Sequence, residues 1–253
     1  MSNVVIFGKG KVGMATNLTL KLNADFHDPF KETIVTDFST YKYAIICVSS
    51  LLKGPHDHHD IDESLNLLQD VEFNGVVVIR CTVSPVHLRV WEIAYPQLKI
   101  IHFPEFLKQG DGNYLDTPWA VVLGGQLKYT EPFGQWLLEC GYGNKDIYQY
   151  VTLDESALIK LHQNAGLALK VTFANLMYET CQYYGADYER VRKGVGADVR
   201  VGNAHMDVPG EDGFGFGGHC LPKDLVCLNH VTYTRGLWDA IININKMMRA
   251  KNV

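Results

Sequence analysis

The stretch VVIFGKGKVG, residues 4–13, places four apolar residues directly before the glycine spacing of Gly8, Gly10 and Gly13. Residues 14–22 then have the composition of a helix. A strand, this glycine spacing and a helix, in that order, form the fingerprint of a dinucleotide-binding unit. Gly8 permits the tight turn, Gly10 lets the backbone approach a pyrophosphate, and Gly13 lets helix and strand pack closely. The N-terminus of the helix would face the phosphate charge.

Asp28 follows a second predicted strand at residues 25–27, at about the distance from the glycines that the fingerprint requires. Its carboxylate can accept hydrogen bonds from the hydroxyl groups of an adenosine ribose. The same negative charge would repel the 2′-phosphate of NADP. The sequence therefore predicts that the cofactor is NAD.

Strand-like and helix-like segments alternate through residues 1–150. Apolar runs such as YAIICV and VVVIR indicate parallel strands that are covered on both faces. This alternation predicts an α/β fold with a Rossmann-like, doubly wound, mostly parallel sheet. The polar stretch 29–40 is short, so we expect the crossover helix there to be trimmed or absent. Strands are predicted at residues 4–7, 25–27, 43–48, 76–80, 99–102, 120–123 and 146–149, and helices at residues 14–22, 61–69, 85–95 and 129–140.

The composition changes after residue 150. Residues 153–184 are rich in Leu, Ala and Lys, contain no proline, and carry apolar residues at helical spacing up to the stop signal Gly185. A helix this long in a small chain usually crosses between domains or forms a dimer interface. Shorter helices are predicted at residues 188–195 and 238–250. We therefore predict an NAD-binding domain at residues 1–150 and an all-helical domain at residues 151–253.

The composition favours a globular protein and argues against several kinds of binding partner. A net charge of −5, with 47% hydrophobic and 20% charged residues, is typical of a globular protein and argues against nucleic-acid binding. No apolar run reaches transmembrane length and a strand begins almost at Met1, so we expect no membrane contact, no signal peptide and a cytoplasmic location. Six cysteines without zinc spacing predict reduced thiols and no metal site. The histidine-rich stretch GPHDHHD, residues 54–60, is interpreted as a solvated loop, with metal binding as the alternative.

The run GFGFGGHCLPKD, residues 213–224, is the strongest chemical signal in the second half. It places Cys220 in a glycine-dense loop with Lys223 and Asp224 directly downstream. A thiol reacts as its thiolate, which nearby cations or the amides of a helix N-terminus stabilise. Cys220 is therefore a candidate nucleophile, and Asp224 a candidate acid, base or orienting group. The alternative is a buried structural cysteine in a glycine turn.

Taken together, the motifs of this chain resemble the UDP-glucose/GDP-mannose dehydrogenase family. Members oxidise the primary alcohol of a nucleotide sugar to a carboxylate, using two NAD and a cysteine thioester. The resemblance covers most of the chain, and several linked motifs in the family's order are more specific than any one of them. The segments that carry it are KGKVG (9–13), IRCTVSP (79–85), FPEFLKQG (103–110), ALIKLHQNAGLALKVTFAN (157–175), RKGVGADVRVG (192–202) and GFGGHCLPKD (215–224).

The resemblance implies a catalytic role for several residues. Cys220 would attack the aldehyde left by a first oxidation, and a second oxidation would give a thioester. Lys160 and Asn164, one helical turn apart, would contact the reacting sugar oxygen and stabilise its developing negative charge. Asp224 and Glu105 would position or activate the hydrolytic water. The expected catalytic residues are Cys220, Lys160, Asn164, Asp224, Glu105 and Thr82.

The resemblance also implies the contacts to cofactor and substrate. Thr82 would lie near the nicotinamide, and Lys223 beside the sugar. The expected cofactor-binding residues are Gly8, Gly10, Lys11, Val12, Gly13, Asp28, Val48, Ser49, Thr82 and Lys223. The expected substrate-binding residues are Phe106, Leu107, Lys108, Lys160, Asn164, Arg200, Gly217 and Gly218.

The resemblance further implies a homodimer through the long helix, in which Arg200 reaches the active site of the partner. Family members normally continue beyond the ININ stretch, residues 242–245, into a further domain that grips the nucleoside diphosphate. Two other functions stay open. One is a non-catalytic NAD-binding relic of the family, or a subunit that needs a partner chain. The other is a β-hydroxyacid dehydrogenase, which shares the Lys and Asn four residues apart but needs no cysteine.

Overall fold

The computed structural model describes residues 3–51, 53–107 and 118–252. The chain forms two compact units, Met1–Lys160 and Leu161–Val253. The boundary between functional domains at residues 150 and 151 stays a prediction.

The described part of the first unit contains one seven-stranded sheet in the order β2-β1-β3-β4-β5-β6-β7. Neighbouring strands are parallel except for β5 and β6, which are antiparallel. Because β2 and β3 lie on opposite sides of β1, the sheet has a topological switch point at the carboxyl ends of β1 and β3. The doubly wound, mostly parallel sheet is confirmed. The strands are β1 Val4–Phe7, β2 Asp25–His27, β3 Tyr43–Ile46, β4 Val76–Ile79, β5 Lys99–His102, β6 Val121–Gly124 and β7 Tyr148–Val151.

Helices cover both faces of this sheet. They are α1 Lys11–Thr19, α2 His59–Asp70, α3 Pro85–Ala94, α4 Leu127–Glu139 and the first turns of α5 Leu153–Tyr184. Alternate residues of each central strand enter two separate apolar cores. Val5 and Ala44 pack with residues of α2 and α3, whereas Ile6 and Ile45 pack with residues of α4. Burial on both faces explains why these strands are almost continuously apolar.

Some predicted boundaries are wrong, each for a local reason. The first helix begins at Lys11 rather than residue 14, because Gly10 is its N-cap. The last strand begins at Tyr148 rather than residue 146, because the Asn144 side chain caps a short 3₁₀ helix that occupies the preceding residues. Among the described residues between β2 and β3, the only helical segment is the 3₁₀ turn Pro29–Lys31, as expected for a trimmed crossover.

His102, at the end of β5, ties the start of α5 to the sheet. The ring has no exposed surface; its Nδ1 lies 2.7 Å from Ser156 Oγ and its Nε2 lies 3.1 Å from the carbonyl oxygen of Cys81. A carbonyl only accepts, so Nε2 of the ring carries the proton. The Ser156 hydroxyl donates to the carbonyl oxygen of Leu153 at 2.7 Å, which fastens this contact to the first turn of α5. Burial lowers the pKa of His102 to about 4, so the ring is neutral at physiological pH.

The second unit is helical in its described part. It contains the rest of α5, then α6 Tyr188–Gly196, α7 Cys220–Val231 and α8 Gly236–Arg249, followed by the 3₁₀ turn Ala250–Asn252. The long helix predicted at residues 153–184 is confirmed. Helix α7 is missing from the sequence prediction, which places Cys220 in a loop. Within the three described ranges, no helix is long and apolar enough to cross a membrane.

Lowering the pH from about 6.5 to about 4 should reduce the free energy of unfolding through His102. The ring has a pKa of about 4 when folded and an ordinary value of 6.5 when unfolded, so only the unfolded chain takes up the proton in this window. The full difference corresponds to about 3 kcal/mol. His102→Gln should show a smaller fall than wild type in urea unfolding at pH 7.5, 6 and 5. The exposed His59→Gln serves as control; equal slopes in all three proteins would contradict the prediction.

Candidate active site

The glycine loop after β1 shows which glycines serve packing. Gly8 has φ +89°, and a Cβ on it would lie 2.9 Å from the carbonyl oxygen of Cys47. A Cβ on Gly13 would lie 2.0 Å from the carbonyl oxygen of Gly8. A Cβ on Gly10 would meet nothing within 4 Å. Gly8 and Gly13 therefore allow strand and helix to approach, while the backbone at Gly10 stays open beside the first-turn amides of α1, where an anion can bind.

Asp28 is fastened to this loop. Its Oδ2 accepts a hydrogen bond of 2.8 Å from the backbone N–H of Lys9, and the N–H of Gly8 donates to the carbonyl oxygen of His27 at 3.0 Å. The ammonium of Lys31 donates to the carbonyl oxygen of Lys9 at 2.9 Å. The carboxylate thus has a fixed position beside the open backbone. Lys31 was not singled out from the sequence, because its approach to Lys9 depends on the 3₁₀ turn.

The remaining expected cofactor contacts in the first unit lie at two places. Lys11 is exposed and Val12 half-buried in the first turn of α1. Val48 and Ser49 follow β3, and the buried Thr82 follows β4. The carboxyl ends of parallel strands meet at one edge of a sheet, which is where this class of fold binds its ligands. A hydrogen bond of 2.8 Å from the Ser50 hydroxyl to the carbonyl oxygen of Thr82 joins the two strand ends.

Glu105 and Lys160 form a buried ion pair in the first unit. Glu105 Oε1 lies 3.5 Å from Lys160 Nζ, and Lys160 is only 3% exposed. The other carboxylate oxygen accepts a hydrogen bond of 2.8 Å from the N–H of Leu107, and the ammonium lies 5.1 Å from the centre of the Phe106 ring. A separation of 3.5 Å is long for a charge-assisted hydrogen bond. The ammonium has three N–H donors, so it can bind a substrate oxygen beside Glu105.

Asp224 is the centre of a second cluster, in the second unit. Its carboxylate has no exposed surface; Asn164 Nδ2 donates to Oδ2 at 2.5 Å and Lys223 Nζ donates to Oδ1 at 2.6 Å. Cys220 begins α7 and is exposed, four residues before Asp224, so the two share one face of the helix. The cluster sets an accessible thiol at a helix N-terminus, one turn from a buried carboxylate that holds a donor on each oxygen.

Cys227, on the same helix, has different properties. It is fully buried, and burial together with the negative charge of Asp224 raises the pKa of its thiol to about 12. Cys227 is therefore protonated and inert at neutral pH. The exposed position of Cys220 does not fit the alternative interpretation of that residue as a buried structural cysteine.

The other expected substrate contacts are placed as follows. Arg200 is exposed after α6, and its guanidinium binds the carboxylate of Asp198, with Nε at 3.0 and 3.1 Å from the two oxygens. This ion pair lowers the pKa of Asp198. Gly217 and Gly218 lie in the loop before α7. Lys108 lies outside the described residues.

The structure thus brings the candidate residues together in two groups. Glu105, Phe106, Leu107 and Lys160 meet in the first unit. Asn164, Lys223 and Asp224 meet in the second unit, where Cys220 begins the helix that carries Asp224. Helix α5 carries Lys160 and Asn164 four residues apart, on one face of that helix.

The histidine-rich stretch is partly buried. His58 is 1% exposed, and its ring packs 4.0 Å from that of His87 and 5.4 Å from that of Trp91. Among the residues that the structure describes, His59, Asp60 and Glu63 bring possible metal-binding atoms within 4.8 Å of one another. His59 Nε2 and Glu63 Oε1 lie 3.3 Å apart on exposed side chains, and we assign these residues no part in the site.

Comparison with known proteins agrees with the sequence motifs. Residues 154–247 match the central domain of the UDP-glucose/GDP-mannose dehydrogenase family. A UDP-glucose 6-dehydrogenase of Campylobacter jejuni is 24% identical over 98% of this chain and 70% of its own length. One from Rickettsia bellii is 33% identical over 56% of this chain and only 33% of its own length. The resemblance to this family, first inferred from the motifs, is confirmed.

The fold is also similar to that of a solved structure. The solved structure of a UDP-glucose dehydrogenase from Pyrobaculum islandicum superposes with a TM-score of 0.77 over 99% of this chain and 68% of the other, at 19% identity. At this identity the likeness concerns the fold alone.

Substituting Gly13 by alanine should cost far more stability than the same substitution at Gly10. The new Cβ at position 13 would meet a backbone oxygen at 2.0 Å, so strand and helix must move apart. We expect Gly13→Ala to lower the free energy of unfolding by about 3 kcal/mol, and Gly10→Ala to change it by less than about 1 kcal/mol. Urea unfolding of both variants at pH 7.5 measures this. Similar losses in the two variants would show that the close approach at Gly13 is not what holds α1 to β1.

Proposed function

We propose that this chain, whose residues 154–247 carry the central domain of the UDP-glucose/GDP-mannose dehydrogenase family, is an NAD-dependent oxidoreductase. Its substrate would be a nucleotide sugar of the UDP-glucose type, oxidised at a primary alcohol to the uronic acid through a thioester on Cys220. The observation that carries the proposal is the exposed thiol of Cys220 at the start of α7, one turn from the buried carboxylate of Asp224.

The residues of the first unit fit a dinucleotide. The open backbone at Gly10 and the first-turn amides of α1 would hold its pyrophosphate. Asp28, fixed by the N–H of Lys9, would accept the ribose hydroxyls and repel a 2′-phosphate, which favours NAD over NADP. NAD held here would supply the hydride acceptor, and two molecules of it would be needed in succession, one for each oxidation. Thr82 and Ser49, at the carboxyl ends of neighbouring strands, would border the nicotinamide.

The first oxidation needs a group that stabilises negative charge on the sugar oxygen. The ammonium of Lys160 is buried and only loosely paired with Glu105, so it can donate to that oxygen as the alcohol loses its proton. Asn164, one turn further along α5, would add an amide donor. Arg200, Phe106, Leu107, Gly217 and Gly218 remain proposed contacts to the rest of the substrate.

The second half of the reaction would use Cys220. Its thiolate attacks the aldehyde carbon and forms a C–S bond, and oxidation of the resulting thiohemiacetal gives a thioester. Water then attacks the thioester, the C–S bond breaks, and the cysteine leaves as thiolate. Glu105 would accept the proton of that water. Asp224, with both oxygens occupied by Asn164 and Lys223, would orient these donors.

Two alternatives remain. A non-catalytic NAD-binding relic, or a subunit that needs a partner chain, would bind NAD without oxidising a sugar by itself. A β-hydroxyacid dehydrogenase would use Lys160 and Asn164 but not Cys220. The presence of Cys220 together with Asp224, Asn164 and Lys223 favours the nucleotide-sugar dehydrogenase over both alternatives.

Assembly is a further part of the proposal. In the second unit, α5 and α6 border an apolar groove of about 450 Å³ lined by residues that include Phe173, Leu176, Met177, Tyr184 and Val191. Phe173 is 46% exposed and Tyr184 76% exposed. Contiguous exposed apolar surface on one helix face is typical of a protein interface. We propose a two-fold homodimer through this face, with Arg200 donated to the partner's substrate.

Replacing Cys220 should abolish acid formation. Wild type should produce NADH and the uronic acid with at least one member of a panel of nucleotide sugars that includes UDP-glucose, and should prefer NAD to NADP. Cys220→Ala should form no acid, because no thioester can form. The partly buried Cys140→Ala is the matched control and should keep full activity. Unchanged acid formation in Cys220→Ala would refute the covalent route, and NAD binding without oxidation of any sugar would support the non-catalytic alternative.

A charge in the apolar groove should dissociate the proposed dimer. We expect light scattering to show a dimer of wild type at micromolar concentration and a monomer of Phe173→Glu, because a carboxylate cannot be buried unpaired in the interface. Ile93→Glu places the same charge at another highly exposed apolar position and should stay dimeric. A monomeric wild type would remove the basis for a shared site.

A further inference from the structure

The loop of residues 211–219, here called the cysteine loop, leads directly into Cys220. Two asparagine side chains of the second unit hold its backbone. Asn245 Oδ1 accepts a hydrogen bond of 2.7 Å from the N–H of Phe216, and Asn245 Nδ2 donates to the carbonyl oxygen of the same residue at 3.0 Å. Asn252 forms the same two-way pair with Phe214, at 2.8 and 3.0 Å. Each side-chain amide satisfies both polar groups of one residue, as a neighbouring strand would.

Two further side chains complete this arrangement. Asn175 of α5 is 2% exposed, and its Oδ1 accepts a hydrogen bond of 3.0 Å from the N–H of Gly215. Arg249 donates from Nη1 to the carbonyl oxygen of Asp212. Four side chains, here called the loop cradle, therefore hold the cysteine loop: Asn175, Asn245, Arg249 and Asn252.

The cradle explains two glycines of the GFGFGG run. Gly213 has φ +88° and Gly215 has φ +73°, in the region that favours glycine. A Cβ on Gly213 would lie 2.4 Å from Asn252 Oδ1, and a Cβ on Gly215 would lie 2.5 Å from Asn245 Oδ1. The space beside each of these two glycines is therefore filled by an asparagine of the cradle.

We propose that the loop cradle positions Cys220, so that α8 and the turn after it belong to the catalytic apparatus although they carry no reacting group. Phe216 is four residues before Cys220, and the course of the cysteine loop determines where α7 begins. Cys220 is the first residue of α7, where the amides of the first turn stabilise a thiolate. The inference rests on the proposed function of Cys220 as nucleophile. The experiment that tests it measures the reactivity of the Cys220 thiol, which does not depend on turnover of a substrate.

The test uses Asn245→Ala and Asn252→Ala, with Asn243→Ala as the matched control. Asn243 is exposed on the same helix, so its replacement changes helix propensity without touching the loop. Hydrogen exchange reports the protection of the Phe214 and Phe216 amides. Mass spectrometry reports the rate at which iodoacetamide alkylates Cys220, with Cys140 as internal reference.

We expect exchange at Phe216 in Asn245→Ala, and at Phe214 in Asn252→Ala, to accelerate by about tenfold, because two hydrogen bonds are lost in each case. Alkylation of Cys220 should slow by about threefold or more, comparable to the loss of one hydrogen bond. Asn243→Ala should match wild type in both measurements. Asn252 lies exposed in the final 3₁₀ turn, so its variant keeps the test decisive should Asn245→Ala fail to fold.

Faster exchange with an unchanged rate of Cys220 alkylation would overturn the proposal, since the cradle would then hold the loop without affecting the thiol. Unchanged exchange would overturn it as well. If wild type oxidises a nucleotide sugar, the variants should lose turnover while the KM for NAD stays constant. If wild type oxidises none, the proposed function fails, and the alkylation rates still decide whether the cradle positions Cys220.

Discussion

The buried carboxylate of Asp224 needs hydrogen-bond donors, and the way it obtains them organises the second unit. One donor comes from Asn164 on α5 and the other from Lys223 on α7 itself, so the charge fastens α7 to α5. Removing one partner of a buried, hydrogen-bonded charge typically costs about 3–5 kcal/mol. Cys220 lies one turn before Asp224, so the contacts that join α7 to α5 also hold the helix that carries the thiol.

In the first unit, the close approach of two backbone segments has a comparable organising effect. Gly13 can approach the carbonyl oxygen of Gly8 only because Gly13 carries no side chain, and this contact fixes α1 over the end of β1. The N–H of Lys9 then binds Asp28, which joins the glycine loop to the end of β2. Close packing in one place thus brings an open stretch of backbone, a helix N-terminus and a carboxylate to the switch point of the sheet, where this fold binds ligands.

The features that could be predicted from the sequence are those that leave a periodic pattern or a fixed spacing of residues. Runs and periodic positions of apolar residues predict the buried parallel strands and the long helix α5. The spacing of the three glycines and their distance from Asp28 predict the dinucleotide-binding unit. Helix α7 could not be found in this way, since its first turn contains Pro222 and follows a glycine run, both of which indicate a loop. The part played by Asn245 and Asn252 has no local signature, because a side-chain amide that binds a distant backbone leaves no periodicity in the sequence.

The direction of the chain gives the loop cradle a consequence for biosynthesis. Asn245 and Asn252 come after the cysteine loop in the sequence, so a ribosome completes the loop well before the residues that hold it. Until both asparagines have left the exit tunnel, Phe214 and Phe216 must bind water instead of these amides. The surroundings of the cysteine in a nascent chain that has not yet reached Asn252 therefore differ from those in the folded protein, because residues that follow the loop in the sequence give it its native shape.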